Sequence, residues 1–246
     1  MFERGVERPL GVIPAGTGNN LARGLGIPLD PAAACRVAFE SDRTVPLDVV
    51  LYRTAEENRD RLIIQSGALG FPAEIALRYD RLRRHRLFRF CARPLGTYVY
   101  RVLALSGLIA QAWRERRGRP PLRVRCEVDG EVIEENVLAV FIGNEKSLGG
   151  NFQPCPLANT VDGLVDICIV RADVGQSYLS LLAQVKNGTH LALEDSVVYR
   201  QSARPVEFRL SRAAPLLADG DLWARGDHYR LEVVPRRFQI VSKGEK

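Results

Sequence analysis

The sequence predicts a mixed fold. A brief β/α opening covers residues 1–44, and a larger, mostly antiparallel, β-sandwich-like region with helices covers residues 45–246. Three observations predict it. Leu10 to Ile13, the Gly16–Asn20 turn and Leu21 to Leu25 read as strand, turn and helix. From Val45 onward the chain is dominated by alternating or continuous apolar runs, the signature of strands. Asp129-Gly130 and Asp219-Gly220 then mark tight hairpins between such runs.

The elements follow in order. Leu10 to Ile13 is a short buried strand ending at Pro14. After the turn, Leu21 to Leu25 starts a helix. Asp30 is an N-cap and Pro31 a first helical residue, opening a helix to about Phe39. Val45 to Tyr52 and Leu62 to Leu69 are strands, and Ala73 to Tyr79 and Thr97 to Arg114 are helical. Leu122 to Val128, Val132 to Glu134, Val137 to Ile142 and Val165 to Val170 are strands, and Ser177 to Val185 is an amphipathic helix. Val197 to Val241 reads as a series of short strands. The opening is too small to close an α/β unit, because a parallel strand needs neighbours and helices on both faces. It reads as the end of a larger unit.

Composition narrows the class. Of 246 residues, 46% are hydrophobic and 26% charged, which argues against a disordered chain. The net charge of +6 suits an anionic partner such as a phosphate or a membrane surface. The cysteines Cys35, Cys91, Cys126, Cys155 and Cys168 are scattered without CxxC spacing, against a disulfide framework or zinc knuckle and in keeping with a cytoplasmic setting. The apolar stretch from Val102 to Trp113 is short of the roughly 20 residues a membrane span needs. No recognised nucleic-acid module accompanies the charge.

Four patterns could carry chemistry. In Pro14-Ala15-Gly16-Thr17-Gly18-Asn19-Asn20-Leu21-Ala22-Arg23, two glycines let the backbone approach a ligand where a helix starts, and Thr17 adds a donor for an anion. The plain alternative is a turn with Asn19 or Asn20 as helix cap. In Gly143-Asn144, Gly149-Gly150, Pro154, Pro156 and Asn159 through Asp162-Gly163-Leu164-Val165-Asp166, the oxygens of Asn159 and Asp162 with backbone carbonyls suit a hard cation; a structured turn is the alternative. Asp219-Gly220-Asp221 places two carboxylates in one hairpin, either a general base or an ordinary turn. From Arg78 to Arg93, seven arginines are interleaved with Leu82, Leu87, Phe88 and Phe90 against Asp80. Such a segment suits an anionic bilayer surface or a solvated connector.

Taken together, these patterns resemble the diacylglycerol kinase catalytic family, which includes bacterial lipid kinases and sphingosine and ceramide kinases. Leu10 to Arg23 is similar to its P-x-GTGND-x-AR segment. Gly143-Asn144 through Asp166 is similar to its GN…GG…P-x-A…DG-x-LD stretch, and Asp219-Gly220-Asp221 stands at its DGE. The resemblance covers nearly the whole chain in order. It implies that residues 1–44 are the end of an ATP-binding α/β domain and residues 45–246 the β-rich domain of a lipid kinase, with ATP and Mg²⁺ as cofactors. Gly16, Thr17, Gly18 and Asn19 would lie beside the ATP phosphates. Asn159, Asp162 and the Leu164 carbonyl would hold Mg²⁺, and Asp221 would take the proton from the lipid hydroxyl, with Asp219 as fallback.

Two departures stand out. Position 221 is Asp for the family's usual Glu, and position 20 is Asn for Asp. The family's GGDGT segment is absent, so the chain reads as a truncated kinase, inactive or impaired by itself. The alternative is a non-catalytic lipid- or membrane-binding remnant. The expected partners are a lipid substrate and an anionic membrane surface bound peripherally, with no nucleic acid; a homodimer stays open.

Overall fold

The computed structural model describes residues 8–16, 18–56, 59–85, 102–103, 106–107, 120–148, 152–172 and 178–243. Thr17, Gly149-Gly150 and Arg86 to Arg93 lie outside the described residues, as does most of the helix expected over Thr97 to Arg114. The opening holds α1 (Asn20–Gly24) and α2 (Pro31–Glu40). The α2 start is built as its sequence dictates: Pro31 needs no N–H bond, and the Asp30 carboxylate accepts from Ala33 N at 2.7 Å. The expected strand at Leu10–Ile13 reduces to a bridge. Leu10 alone pairs, parallel, with Ile240, donating to Gln239 O and accepting from Val241 N. Leu10, Val12, Leu21 and Leu25 pack with buried Ala22, Ile27, Ala34, Leu47 and Ile240 in a small apolar cluster.

The rest of the described chain forms β1 (Thr44–Thr54), β2 (Arg61–Ile63), β3 (Ser66–Gly70), α3 (Phe71–Arg83), β4 (Leu122–Val128) and β5 (Glu131–Gly143). There follow β6 (Val165–Arg171), α4 (Tyr178–Asn187), β7 (Val197–Ser202), β8 (Val206–Ala218) and β9 (Asp221–Val241). The strands pair antiparallel in the order β2-β1-β9-β8-β3-β5-β6-β7, and β4 pairs with both β5 and β8. β3 also joins β5 to β8, at their opposite ends. The sheet therefore curls around one core, in which Tyr52, Ile63, Leu69, Val140, Ile142, Ile167, Phe208, Leu216 and Tyr229 are buried.

The second face of the sheet carries Ala68, Phe141, Cys168, Val170 and Leu217. They pack with Ala73 from α3, Leu181 and Val185 from α4, and Cys155 and Ala158 from the loop before β6. A bulge between Val137 and Ala139 switches the parity of β5. Ile133 and Val137 face the inner core before it, and Val140 and Ile142 after it. At the β3–α3 corner Gly70 has φ 77°, and a Cβ there would lie 2.7 Å from the Leu138 carbonyl, so only glycine fits.

Three sequence expectations are corrected. Leu62 to Leu69 is two strands, broken at Ile64-Gln65, whose N–H groups bond a side chain instead of a ladder. Val132–Glu134 and Val137–Ile142 are one strand, because β4 and β6 flank its whole length and its charged residues face out. The tail beyond β7 is one hairpin of two long strands, not a series of short ones. Both Asp-Gly hairpins form, with φ 51° and 84° at Asp129-Gly130 and 50° and 92° at Asp219-Gly220.

Candidate functional site: two carboxylates on a clamped hairpin beside a buried aspartate

The β8–β9 hairpin presents its two acids differently. The Asp219 carboxylate turns back onto the β2–β3 turn. Its Oδ1 accepts from Gln65 N at 2.8 Å and Ser66 N at 3.1 Å, and its Oδ2 accepts from Ile64 N at 2.8 Å. Asp219 N donates in return to Ser66 O at 2.9 Å. Desolvation raises the Asp219 pKa, with Asp221 adding, against the pull of the three amides. Asp221 opens β9, paired with Ala218 across the turn. It is exposed and has no side-chain partner among the described residues.

The β2–β3 turn reaches a second loop. Gln65 O accepts from Asn144 N at 2.9 Å and Glu145 N at 2.8 Å, where β5 ends. The Asn144 side chain is fully buried; its Nδ2 donates to Asp48 O and Ile64 O at 2.8 and 2.7 Å. Glu145 lies against α1 near Gly24 and is held by the Ser147 hydroxyl at 3.0 Å; burial pushes its pKa up.

Asp48 is the residue that sequence reasoning missed. It sits in the apolar run Val45-Pro46-Leu47-Asp48-Val49-Val50, where β1 and β9 lose register between Leu47 and Val49. Its carboxylate is fully buried and accepts from Gly163 N at 2.7 Å and Arg236 N at 2.6 Å; its own N donates to Thr160 O. An acid inside an apolar strand was the available signal, because a buried carboxylate persists only with such donors.

Asp48 thereby holds the loop of the expected cation ligands. Asn159 and Asp162 are exposed, and Asp162 Oδ1 accepts from Leu164 N at 3.0 Å. Burial raises the Asp162 pKa, and the nearby Asp48 charge raises it further. Asp166 is fully buried one turn on, bonded by the Tyr199 hydroxyl and by Gln201 at 3.0 Å, with its Oδ2 unpartnered. Burial, reinforced by Asp162, pushes its pKa up to about 6. Among the described residues no three His, Cys, Asp or Glu groups gather to hold a metal. Asn159 and Asp162 bring amide and carboxylate oxygens on one loop, with Asp48 close enough to act on the Asp162 carboxylate. Such oxygens are the donor type that hard cations take.

The Gly16–Asn19 turn is closed by its own residues. Asn19 adopts φ 49°, and its Oδ1 accepts from Gly16 N at 2.9 Å, so it does not cap α1. Arg23 donates to Gly18 O at 3.3 Å. Asn20 is buried and its Oδ1 lacks a partner among the described residues; it does not serve as the cap either.

Comparison with known proteins agrees with this architecture. Residues 96–242 match the YegS C-terminal NAD kinase beta sandwich-like domain, and residues 1–52 match the diacylglycerol kinase catalytic domain. A diacylglycerol kinase of Mycobacterium tuberculosis is 32% identical over 241 residues, covering 96% of this chain and 70% of the relative. A probable YegS-like lipid kinase of Serratia proteamaculans is 27% identical, over 94% of this chain and 66% of its own length. A crystal structure of a putative diacylglycerol kinase from Bacillus anthracis superposes over 96% of this chain and 68% of that one, with a TM-score of 0.65 at 20% identity, which shows the shared fold. With a 32% identical relative aligned along almost its whole length and a family domain matched over more than half of it, the chain belongs to the diacylglycerol kinase and YegS-like lipid kinase family.

Proposed function

We propose that the chain transfers the γ-phosphoryl group of ATP to a hydroxyl of diacylglycerol or a related lipid, at an impaired rate by itself, with Asp221 as general base. One observation carries the choice of base: of the two hairpin carboxylates, Asp219 spends both oxygens on backbone amides, while Asp221 is exposed and uncommitted. A base must reach the proton it removes, and the unbonded Asp221 carboxylate is the freer of the two to do so. Gly16, Gly18 and Asn19, with Thr17, would line the phosphates. Asp162, with Asn159 and the Leu164 carbonyl, would hold Mg²⁺, which supplies neutralisation of phosphate charge. Since phosphoryl transfer draws most of its rate from positioning and charge, the protein's part is to hold Asp221 and this loop in register.

The membrane is the expected source of the lipid. Arg78 and Arg81 stand exposed on α3, which supports docking of that helix on an anionic bilayer. The test is transfer of labelled phosphate from ATP to diacylglycerol in mixed micelles with Mg²⁺. Asp221→Asn should cut the rate about 10²–10⁴-fold with folding and ATP binding intact. An Asp221→Asn protein that keeps most of its rate removes Asp221 as base. A folded parent chain that labels no lipid, yet sediments with liposomes, leaves a non-catalytic lipid-binding module instead.

A further inference from the structure

The Asp219 carboxylate spends both its oxygens on a single turn, the one between β2 and β3. We infer that Asp219 is a positioning residue, which clamps the β8–β9 hairpin to the β2–β3 turn and thereby sets Asp221 in register with the loop after β5. The inference rests on the reading of Asp221 as the base.

The geometry is a chain of backbone bonds with Asp219 at one end. Three amides in sequence, at Ile64, Gln65 and Ser66, converge on one carboxylate, and the hairpin's own N–H returns a bond to Ser66 O. The amides of Ile64 and Gln65 fall where the ladder breaks between β2 and β3, and Ser66 opens β3. The turn thus takes its shape from the side chain it holds. Gln65 works on both sides: its N–H faces Asp219, and its carbonyl receives the N–H groups of Asn144 and Glu145. Asn144 carries the link on to Asp48 O, and the Asp48 carboxylate to Gly163 in the Asp162 loop.

Asp221 lies only two residues from the clamp, on the first rung of β9, so its position follows the hairpin as a body. A hairpin turn of this type needs no such anchor for its own formation, because Asp-Gly already suits the positive φ values. The clamp therefore serves the docking of the hairpin rather than its folding. Misplacement of about 1 Å at a reacting group costs on the order of 10²-fold in rate, which makes docking of this kind consequential.

The experiment compares Asp219→Asn and Asp219→Ala with the parent chain, by amide hydrogen exchange and by steady-state kinetics. Asn keeps an acceptor at Oδ1 for Gln65 and Ser66 but offers Ile64 a donor, so it should rescue in part. Expected are faster exchange at 64–66 and also at 144–145, more in Ala than in Asn. The kcat should fall about 10-fold or more in Ala and less in Asn, with the KM for ATP unchanged and the acid limb of the pH–kcat profile retained. Unchanged exchange at 144–145 overturns the coupling. Faster exchange with parental kcat reduces Asp219 to a structural residue. Loss of the acid limb in Asp219→Asn but not in Asp221→Asn makes Asp219 the base, which fails the base assignment itself. A folded parent chain without kinase activity removes the positioning role together with the base, whatever the exchange rates.

Discussion

At the scale of single residues, the site depends on carboxylates that bond backbone. Asp48 holds two amides, Gly163 in the loop before β6 and Arg236 within β9, from a fully buried position. Arg236 has φ 52°, a conformation that costs a non-glycine side chain, and its N–H bond to Asp48 helps hold it there. Asp48→Asn should turn an amide donor toward one of these N–H groups, losing one charge-assisted bond worth about 1.5–3 kcal/mol. The midpoint of thermal unfolding should drop by roughly 2–4 °C per kcal/mol lost. An unchanged midpoint would show that water or a shifted loop satisfies the orphaned amide. Little of this was legible beforehand. The partners of Asp219 lie 153–155 residues away, and those of Asp48 115 and 188, and no local pattern encodes such pairings. From the residues alone, Asp219 and Asp221 were equal candidates; their bonding separates them.

At the scale of elements, local chemistry was legible and ladder length was not. Asp30-Pro31 set the start of α2 and the two Asp-Gly pairs set their hairpins, because a cap or a tight turn is decided within four residues. The β5 strand runs through polar Glu134-Glu135-Asn136 because β4 pairs with each of them, which only the assembled sheet can supply. The basic segment divides in the same way. Asp80 pairs with Arg83 and Arg84 at 2.6 and 2.8 Å, while Arg78 and Arg81 have no ionic partner among the described residues. The double change Arg78→Gln with Arg81→Gln should therefore weaken sedimentation with anionic liposomes more than Arg83→Gln with Arg84→Gln. Each free basic group near such a surface contributes about 1 kcal/mol, and the difference should shrink in high salt. Equal losses from the two pairs would show that Asp80 releases its partners at the bilayer.

At the scale of the molecule, the fold class followed from composition of the runs, while the strand order did not. No described helix is long and apolar enough to cross a membrane. The sheet interior is one extended core, whereas the opening contributes a small cluster around Ala22, Ala34 and Leu47. Stability should be graded accordingly, since regions with few buried apolar contacts open at lower free energy. In native-state hydrogen exchange, amides of α1 and α2 should exchange well before those of β5 and β6. Exchange of both sets at one common free energy would show that the opening unfolds only with the sheet.

The bond between Asp48 and Arg236 joins positions 188 residues apart, and it closes the loop that carries Asp162. Chains emerge from the ribosome from the N-terminus onward. The Asp48 carboxylate is thus made early, but its last partner arrives 188 residues later. A nascent chain can lay down β1 through β8 while the Asp48 carboxylate still lacks the Arg236 amide. A chain cut before Arg236 should therefore lack one of the two bonds that hold the Asp48 carboxylate, however complete the rest of its sheet.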